Sequence, residues 1–191
     1  GNYKKVTATF KELKKLDIPN LSVGIHTVIS KFNVKEFPRI ATKLSVLNPD
    51  SFISEIAENR VELDTMNSDI SPKPLAYRSA IDFLIHKMKH EKLSGLSKIT
   101  QAFRIEYYNL VKEIIRDKTQ VIPCYAGIAS AQISPDGDVW SCCIKAQSMG
   151  NLRKNDYNFK KIWKSEEFKK ERKSIKNKEC QCPLANAAYT N

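Results

Sequence analysis

The sequence predicts an α/β chain that consists of parallel βα units, a helical linker, and a small cysteine-rich domain with a β-hairpin and a helix. Three observations lead to this prediction. Helical and strand-like hydrophobic patterns alternate over residues 6–64, amphipathic helical patterns fill residues 70–118, and all five cysteines lie after residue 120. We therefore expect three regions, with boundaries at 1–69, 70–119 and 120–191.

The first region twice shows the pattern of a helix followed by a strand. Apolar residues at helical spacing precede a turn sequence at residues 17–20, and residues 21–25 form a strand-like run. The capping-box pattern Asn33-Val-Lys-Glu36 predicts that Asn33 caps a second helix, which ends at Asn48-Pro49. Residues 51–56 form the second strand-like run. This alternation favours parallel βα units.

Two amphipathic helices are expected in the second region. Apolar residues recur at steps of three and four from Ile81 to Met88, after a break at residues 71–74. Beyond Gly95, a second stripe contains Ile99, Phe103, Tyr107, Leu110 and Ile114. Stripes of this kind predict helix faces that are buried in the core.

The third region begins with a hairpin pattern. Pro135-Asp-Gly137 separates the strand-like segments 131–134 and 138–141, and glycine suits a turn that requires a positive φ. A polar loop should follow. One further helix is then predicted to hold Ile162, Trp163 and Phe168.

The composition is that of a globular protein without a membrane-spanning segment. The chain has 191 residues, of which 41% are hydrophobic and 28% are charged. No apolar run approaches the roughly 20 residues that a transmembrane helix needs. The first residues, GNYKKVTATF, lack the apolar stretch of a signal peptide. We therefore expect a cytoplasmic protein with no membrane partner.

The positive charge is concentrated near the end of the chain. The formal net charge is +11, and many of the basic residues lie between residues 153 and 178. Lysines are mostly solvent-exposed, so a solvated helix face is the general expectation. No recognisable nucleic-acid module accompanies this charge. Nucleic acid is therefore not expected to be the partner.

The five cysteines predict a metal site, because the cytosol keeps thiols reduced and disfavours disulfides. The hairpin should bring Cys124 close to Cys142 and Cys143, and the tail pair Cys180 and Cys182 can then complete a four-thiolate set. Four thiolates suit either zinc or an iron-sulfur cluster. Adjacent residues of a strand point to opposite faces, so one member of the 142–143 pair is left outside the set.

A longer motif surrounds these cysteines. Cys124 is followed by Gly137 after twelve residues and by Cys142 after four more. The motif continues with Met149-Gly-Asn-Leu152, with Ile162-Trp163, and with the tail pair of cysteines. This pattern resembles the auxiliary-cluster region of radical S-adenosylmethionine (SAM) enzymes, the SPASM or twitch domain.

The resemblance implies that Cys124, Cys142, Cys180 and Cys182 hold one auxiliary [4Fe-4S] cluster, with Cys143 as a substitute for Cys142. In such enzymes the auxiliary cluster assists electron transfer or substrate binding, so the function implied is that of an oxidoreductase or maturase. The alternative is a four-cysteine zinc module whose basic helix contacts nucleic acid or an acidic partner. Zinc can also replace iron in a four-thiolate site.

The upstream strands, within residues 26–33 and 51–58, resemble the later strands of the partial βα barrel in the same superfamily. The resemblance implies that the first region is a remnant of that barrel. Ligands bind at the carboxyl ends of barrel strands. The candidates for binding SAM or substrate are Glu55, Glu58, Asn59 and Arg60. His26, on the other strand, is expected to be a hydrogen-bonded core residue.

No cysteine precedes Cys124, so the CxxxCxxC loop that binds the catalytic cluster and SAM is absent from the sequence. We therefore expect the C-terminal half of such an enzyme, inactive alone. SAM and a second [4Fe-4S] cluster would bind only in the full-length enzyme, which includes the missing N-terminal half of the barrel. An exposed barrel edge would favour dimerisation. The substrate, a peptide or a small molecule, is not specified by these patterns.

Overall fold

The computed structural model describes residues 2–16, 18–91 and 93–183. Asp17 of the predicted turn and residues 184–191 of the predicted third region lie outside the described residues. The helices are α1 (Asn2–Lys15), α2 (Phe37–Ser45), α3 (Pro74–Lys89), α4 (Gly95–Asp117), α5 (Phe159–Trp163) and α6 (Glu166–Lys176). The strands are β1 (Gly24–Ile29), β2 (Ser51–Ile56), β3 (Gln132–Ile133), β4 (Asp138–Trp140) and β5 (Ser148–Asn151).

The predicted α/β class is confirmed. A two-stranded parallel sheet and a three-stranded antiparallel sheet are combined with the helices. Neither sheet closes into a barrel in the part of the chain that the structure describes. Among those same residues, no helix is both long enough and apolar enough to cross a bilayer.

Strands β1 and β2 pair in parallel, as predicted, with α2 as the connection between them. Gly24 lies opposite Ser51, and Ile29 lies opposite Ile56. β1 is shifted towards the C-terminus relative to the predicted run at 21–25. The reason is that residues 27–29 are all β-branched, and such side chains fit a pleated strand well.

The capping-box prediction for Asn33 is wrong. Its Oδ1 accepts a hydrogen bond from the Ser30 backbone N–H (2.8 Å), and its Nδ2 donates to the Val28 carbonyl (2.8 Å). The side chain therefore holds the turn after β1. α2 begins at Phe37, and the residue at its N-cap, Glu36, makes no side-chain capping bond. Asparagine can close a turn as readily as it caps a helix, so the pattern was ambiguous.

Helices α3 and α4 pack with α2 and the parallel sheet to form the larger core. The apolar stripe of α3 is buried, as predicted. The stripe of α4 is buried only in its second half, whereas Ile99 and Phe103 are 54% and 65% exposed. Gln101 donates to the Met88 carbonyl (2.9 Å), so the first turns of α4 extend beyond the end of α3. A hydrophobic pattern does not reveal where the neighbouring helix ends.

The cysteine-rich region contains an antiparallel sheet in the order β3-β4-β5. The predicted hairpin is confirmed, with Gln132 opposite Trp140 and a φ of +92° at Gly137 in the turn. β5 occupies part of the segment predicted to be a polar loop. It has four residues, of which only Met149 is buried, and so it lacks the alternation that identifies a strand.

The single helix predicted around residues 162–168 is in fact two helices. α5 ends at Trp163, and the Ser165 hydroxyl accepts a hydrogen bond from the Phe168 backbone N–H (3.2 Å). This N-cap begins α6. Ile162 and Phe168 are nevertheless buried together in a second, smaller core beneath the antiparallel sheet.

Candidate metal centre

Cys124 is followed by a tight loop that α6 holds in place. The loop is closed by backbone hydrogen bonds, including one from Gly127 to Ser130 (2.8 Å). Arg172 of α6 donates from Nε to the Gly127 carbonyl (2.5 Å) and from Nη2 to the Trp163 carbonyl (2.6 Å). One arginine therefore links the loop after Cys124 to both α5 and α6.

Gly127 suits this loop because its φ of +71° is one that residues with a Cβ rarely adopt. An added Cβ would lie in ordinary van der Waals contact, at 3.4 Å, with Phe168 and Ser141. The close approach brings the loop against the start of the Cys142 turn.

Cys142 lies in a turn after β4 that is held by a buried carboxylate. Glu171 of α6 is 6% exposed. Its Oε1 accepts from the Ser141 hydroxyl (2.9 Å), and its Oε2 accepts from the Lys145 ammonium (2.9 Å). The Lys145 backbone N–H also points to the Cys142 Sγ (3.5 Å). Glu171 thus connects both sides of the Cys142 turn to α6.

Lys145 places a positive charge close to the thiols. Burial by itself lowers the pKa of Lys145. The hydrogen bond that Lys145 donates to Glu171, the charge of Glu171, and the nearby Cys180 and Cys142 outweigh this and raise that pKa. Burial raises the pKa of the Cys180 thiol, Lys145 opposes this, and Cys124 and Cys142 add to it. Cys124 and Cys142 therefore lie within electrostatic range of Cys180.

The tail that carries Cys180 and Cys182 is attached to α4. The Tyr107 hydroxyl donates to the Pro183 carbonyl (2.8 Å). Cys124, Cys180 and Cys182 line one cleft, whose other walls are mostly apolar side chains from α4 and from residues 120–123. An apolar wall of this kind limits solvent access to a bound metal centre.

Cys143 occupies different surroundings from Cys142. Burial raises the pKa of the Cys143 thiol, Glu62 raises it further, and Arg60 lowers it. The Cys143 thiol therefore lies within electrostatic range of the segment that follows β2, and it also has a hydrogen bond with Gln132 and lies within range of Cys142. This placement favours Cys142 as the ligand, and the four-cysteine set stays a prediction.

The four cysteine thiolates fit an iron-sulfur cluster, whose usual ligands they are, and they also suit a tetrahedral zinc ion. Within residues 2–16, 18–91 and 93–183, no group of three or more His, Cys, Asp or Glu side chains is arranged to hold a metal ion.

The predicted SAM- or substrate-binding residues lie at the carboxyl end of β2 and just beyond it. Arg60 donates from Nη1 to Glu62 Oε1 (3.2 Å), and Asn59 donates from Nδ2 to the Met66 carbonyl (3.0 Å). Glu55 Oε2 is 3.5 Å from His26 Nε2. The expectation of a core histidine is wrong, because the His26 side chain is 51% exposed.

Glu58 is the most strongly perturbed of these acids. Burial raises its pKa to about 7, against the opposing charge of Arg60 and with a contribution from Glu55. Its Oε2 is buried without a hydrogen-bond partner among the described residues, as is the hydroxyl of Tyr77 on α3. Burial raises the pKa of Tyr77, with added contributions from Tyr108, Glu55 and Glu58. Sequence reasoning missed Tyr77, because its spacing is that of a core residue.

Glu58 should make the folded protein more stable at low pH. Its folded pKa of about 7 exceeds the ordinary 4.5, so between these values the folded state holds a proton that the unfolded state has lost. The contribution of Glu58 to the free energy of unfolding is complete below about pH 4.5 and is lost as the pH rises through about 7. This contribution should be at most about 3 kcal/mol.

Denaturant unfolding at about pH 5 and about pH 8 measures this difference. Glu58→Gln should remove the Glu58 contribution, whereas Glu113→Gln, at an exposed position of α4, should retain it. The same pH dependence in Glu58→Gln as in the parent chain would contradict the assignment.

Comparison with known proteins identifies the cysteine-rich region. Residues 124–183 match the family model of SPASM, an iron-sulfur cluster-binding domain. No curated protein and no solved structure matches the chain. The matched range contains all five cysteines and the hairpin, β5, α5 and α6. Residues 124–183 therefore match a SPASM iron-sulfur cluster-binding domain, which is consistent with the C-terminal domain of a radical SAM enzyme.

Proposed function

We propose that this chain is the auxiliary-cluster part of a radical SAM oxidoreductase or maturase of the cytoplasm, and that Cys124, Cys142, Cys180 and Cys182 hold one [4Fe-4S] cluster. The observation that carries the proposal is the cleft that Cys124, Cys180 and Cys182 line together. Cys142 lies within electrostatic range of Cys180. The SPASM match over the same residues supports iron-sulfur binding.

The radical SAM context is supported by what precedes the cluster domain. The parallel strands β1 and β2 direct their carboxyl ends towards residues 57–62, and Cys143 lies within electrostatic range of Arg60 and Glu62 of that segment. Ligands of parallel sheets bind outside the carboxyl ends of the strands. Substrate would then lie between this edge and the cluster. The loop that binds SAM would come from polypeptide other than this sequence, which has no cysteine before Cys124.

The bound cluster would supply one-electron transfer or a site for substrate. This chain's own residues would set the conditions for that chemistry. Lys145 offsets part of the negative charge of the thiolates, and Glu171 keeps Lys145 in position. Tyr107 holds the tail that carries Cys180 and Cys182 by its hydrogen bond to Pro183. The apolar wall of the cleft limits the access of water.

Anaerobic purification followed by iron, sulfide and zinc quantitation tests the proposal. We expect about four irons and four sulfides per chain, with a broad visible band that bleaches on reduction with dithionite. Stoichiometric zinc without sulfide, even after anaerobic reconstitution with iron, would contradict it and would support the zinc module.

A further inference from the structure

A second cleft lies at the amino end of β2. It is enclosed by the end of α2, the end of α3 and the first turns of α4, and its volume is about 530 Å³. Ser51 and Phe52, the first residues of β2, form part of its wall, so the cleft lies at the opposite end of the strand from residues 57–62. It shares no residue with the candidate metal centre or with the segment after β2.

Two cationic side chains border this cleft, Lys87 of α3 and Arg104 of α4. The Lys87 ammonium donates to the Ser45 hydroxyl at the end of α2. Arg104 donates from Nη1 to the Phe52 carbonyl (3.4 Å). Because Ser45 and Phe52 also line the cleft, these hydrogen bonds place both cationic groups at its wall.

Neither cation forms an ion pair with an acid of the described residues. Both side chains are half-buried, and the Arg104 Nε is buried without a hydrogen-bond partner among those same residues. A guanidinium has five N–H donors, and an unpaired charge that is withdrawn from water is costly. The two cations therefore lack an anion.

The acids at the cleft do not supply that anion. Asp50 accepts a hydrogen bond from the Lys14 ammonium (2.7 Å), which neutralises its charge. Glu91 accepts from the Gln101 amide (3.1 Å). The cleft is then left with the two cations against the single negative charge of Glu91. This balance favours a ligand that carries one negative charge.

The remaining wall suits an organic molecule. Apolar side chains from β2, from α3 and from the segment before α4 contribute to it, among them Phe52, Leu84 and Leu93. Clefts of roughly 300–1,000 Å³ with apolar walls and a few polar groups are typical of small-molecule sites. A carboxylate carries one charge and accepts paired hydrogen bonds from a guanidinium.

We propose that this cleft binds a small organic acid, whose carboxylate contacts Lys87 and Arg104 and whose apolar part contacts Phe52 and Leu93. The inference goes beyond the proposed function and does not rest on it, because the cleft contains none of the cysteines.

Titration of the whole chain with benzoate, followed by NMR, tests this site. Benzoate should cause saturable shifts at the amides of residues 51–52, 87–88 and 101–104. Benzamide, a neutral molecule of nearly the same shape, should not. Inorganic phosphate should bind less tightly than benzoate, because it has no apolar part and carries more negative charge beside Glu91.

Variants of the two cations locate the binding. Arg104→Gln should weaken benzoate binding by about tenfold or more, because charge-assisted hydrogen bonds are lost. Lys87→Gln should weaken it by a smaller factor, and this variant keeps Arg104 on β2, so it tests the site even if Arg104→Gln does not fold. Lys89→Gln, at the next lysine of α3, is exposed and outside the cleft, and it should leave the binding unchanged.

The proposal is overturned if benzoate gives no saturable shifts, if benzamide binds equally well, or if neither Arg104→Gln nor Lys87→Gln weakens benzoate binding. Tighter binding of phosphate than of benzoate would also overturn it, and would assign the cleft to a phosphate group instead. Iron and sulfide content separates these outcomes from a failure of the proposed function, because benzoate should bind whether or not the chain contains a cluster.

Discussion

Serine at position 124, 180 or 182 should abolish cluster binding. Each thiolate is expected to bind a different iron, and a serine hydroxyl is a much poorer ligand for iron than a thiolate. Cys124 and both tail cysteines line the same cleft, so no other cysteine is placed to take over from any of them. Cys124→Ser, Cys180→Ser and Cys182→Ser should each contain little iron and sulfide after anaerobic reconstitution.

Cys143→Ser is the matched control for these variants. The Cys143 thiol is hydrogen-bonded with Gln132, and Cys142 rather than Cys143 acts on the Cys180 thiol, so the loss of Cys143 should leave the iron content unchanged. Cys142→Ser should behave like the three cleft variants. Full iron in any one of them removes that residue from the ligand set. Loss of iron in Cys143→Ser with retention in Cys142→Ser would exchange the roles of the two neighbours.

Phe168→Ala should strongly destabilise the SPASM domain. Phe168 is fully buried in the smaller core together with Val139, Met149 and Ile162. Its ring lies 4.9 Å from that of Trp163, and the Arg172 guanidinium stands over it at 4.9 Å. Truncation of a buried phenylalanine costs about 3–5 kcal/mol, because it removes apolar burial and leaves a cavity. The substitution also removes the aromatic ring on which the Arg172 guanidinium packs, and Arg172 donates to the Gly127 carbonyl in the loop after Cys124.

Denaturant unfolding of the apo and reconstituted protein measures this effect. The cluster binds the folded domain, so by mass action it should recover part of the stability that Phe168→Ala loses. Phe103→Ala, at a position 65% exposed on α4, is the control and should change the stability by no more than about 0.5 kcal/mol. Equal effects of the two substitutions would show that the smaller core does not support the domain.

Patterns in the sequence predicted much of the fold and of the candidate metal site. The cysteine and glycine spacing from 124 to 182 was enough to indicate the SPASM domain, because the motif specifies a hairpin turn and ligands at set distances along the chain. The apolar periods likewise indicated β2, α3 and the hairpin. The helix, strand and hairpin patterns depend on residues close in sequence, and the cysteine motif depends on fixed spacings along the chain, so both can be recognised without a structure.

Local patterns did not predict features that depend on the position of a neighbouring helix or strand. The capping pattern at Asn33 did not distinguish a helix cap from a turn, and β5 had too few apolar residues to be recognised. The start of α4 is exposed because α3 ends before it, and the sequence of α4 does not indicate where α3 ends. The motif gave Cys142 as the ligand with Cys143 as its substitute, and the different neighbours of the two thiols also favour Cys142.

The sequence by itself therefore determined the kind of domain, the candidate ligands and the parallel βα order. The tertiary structure alone decided how the site is supported. Tyr107 meets Pro183 across 76 residues, and Glu171 meets Lys145 across 26. It also decided that oxygens of Glu58 and Tyr77 are buried without a hydrogen-bond partner among the described residues. Such contacts depend on how separate helices and strands pack against each other. Packing brings together residues that are far apart in the sequence, and no periodic pattern in the sequence predicts which of them will meet.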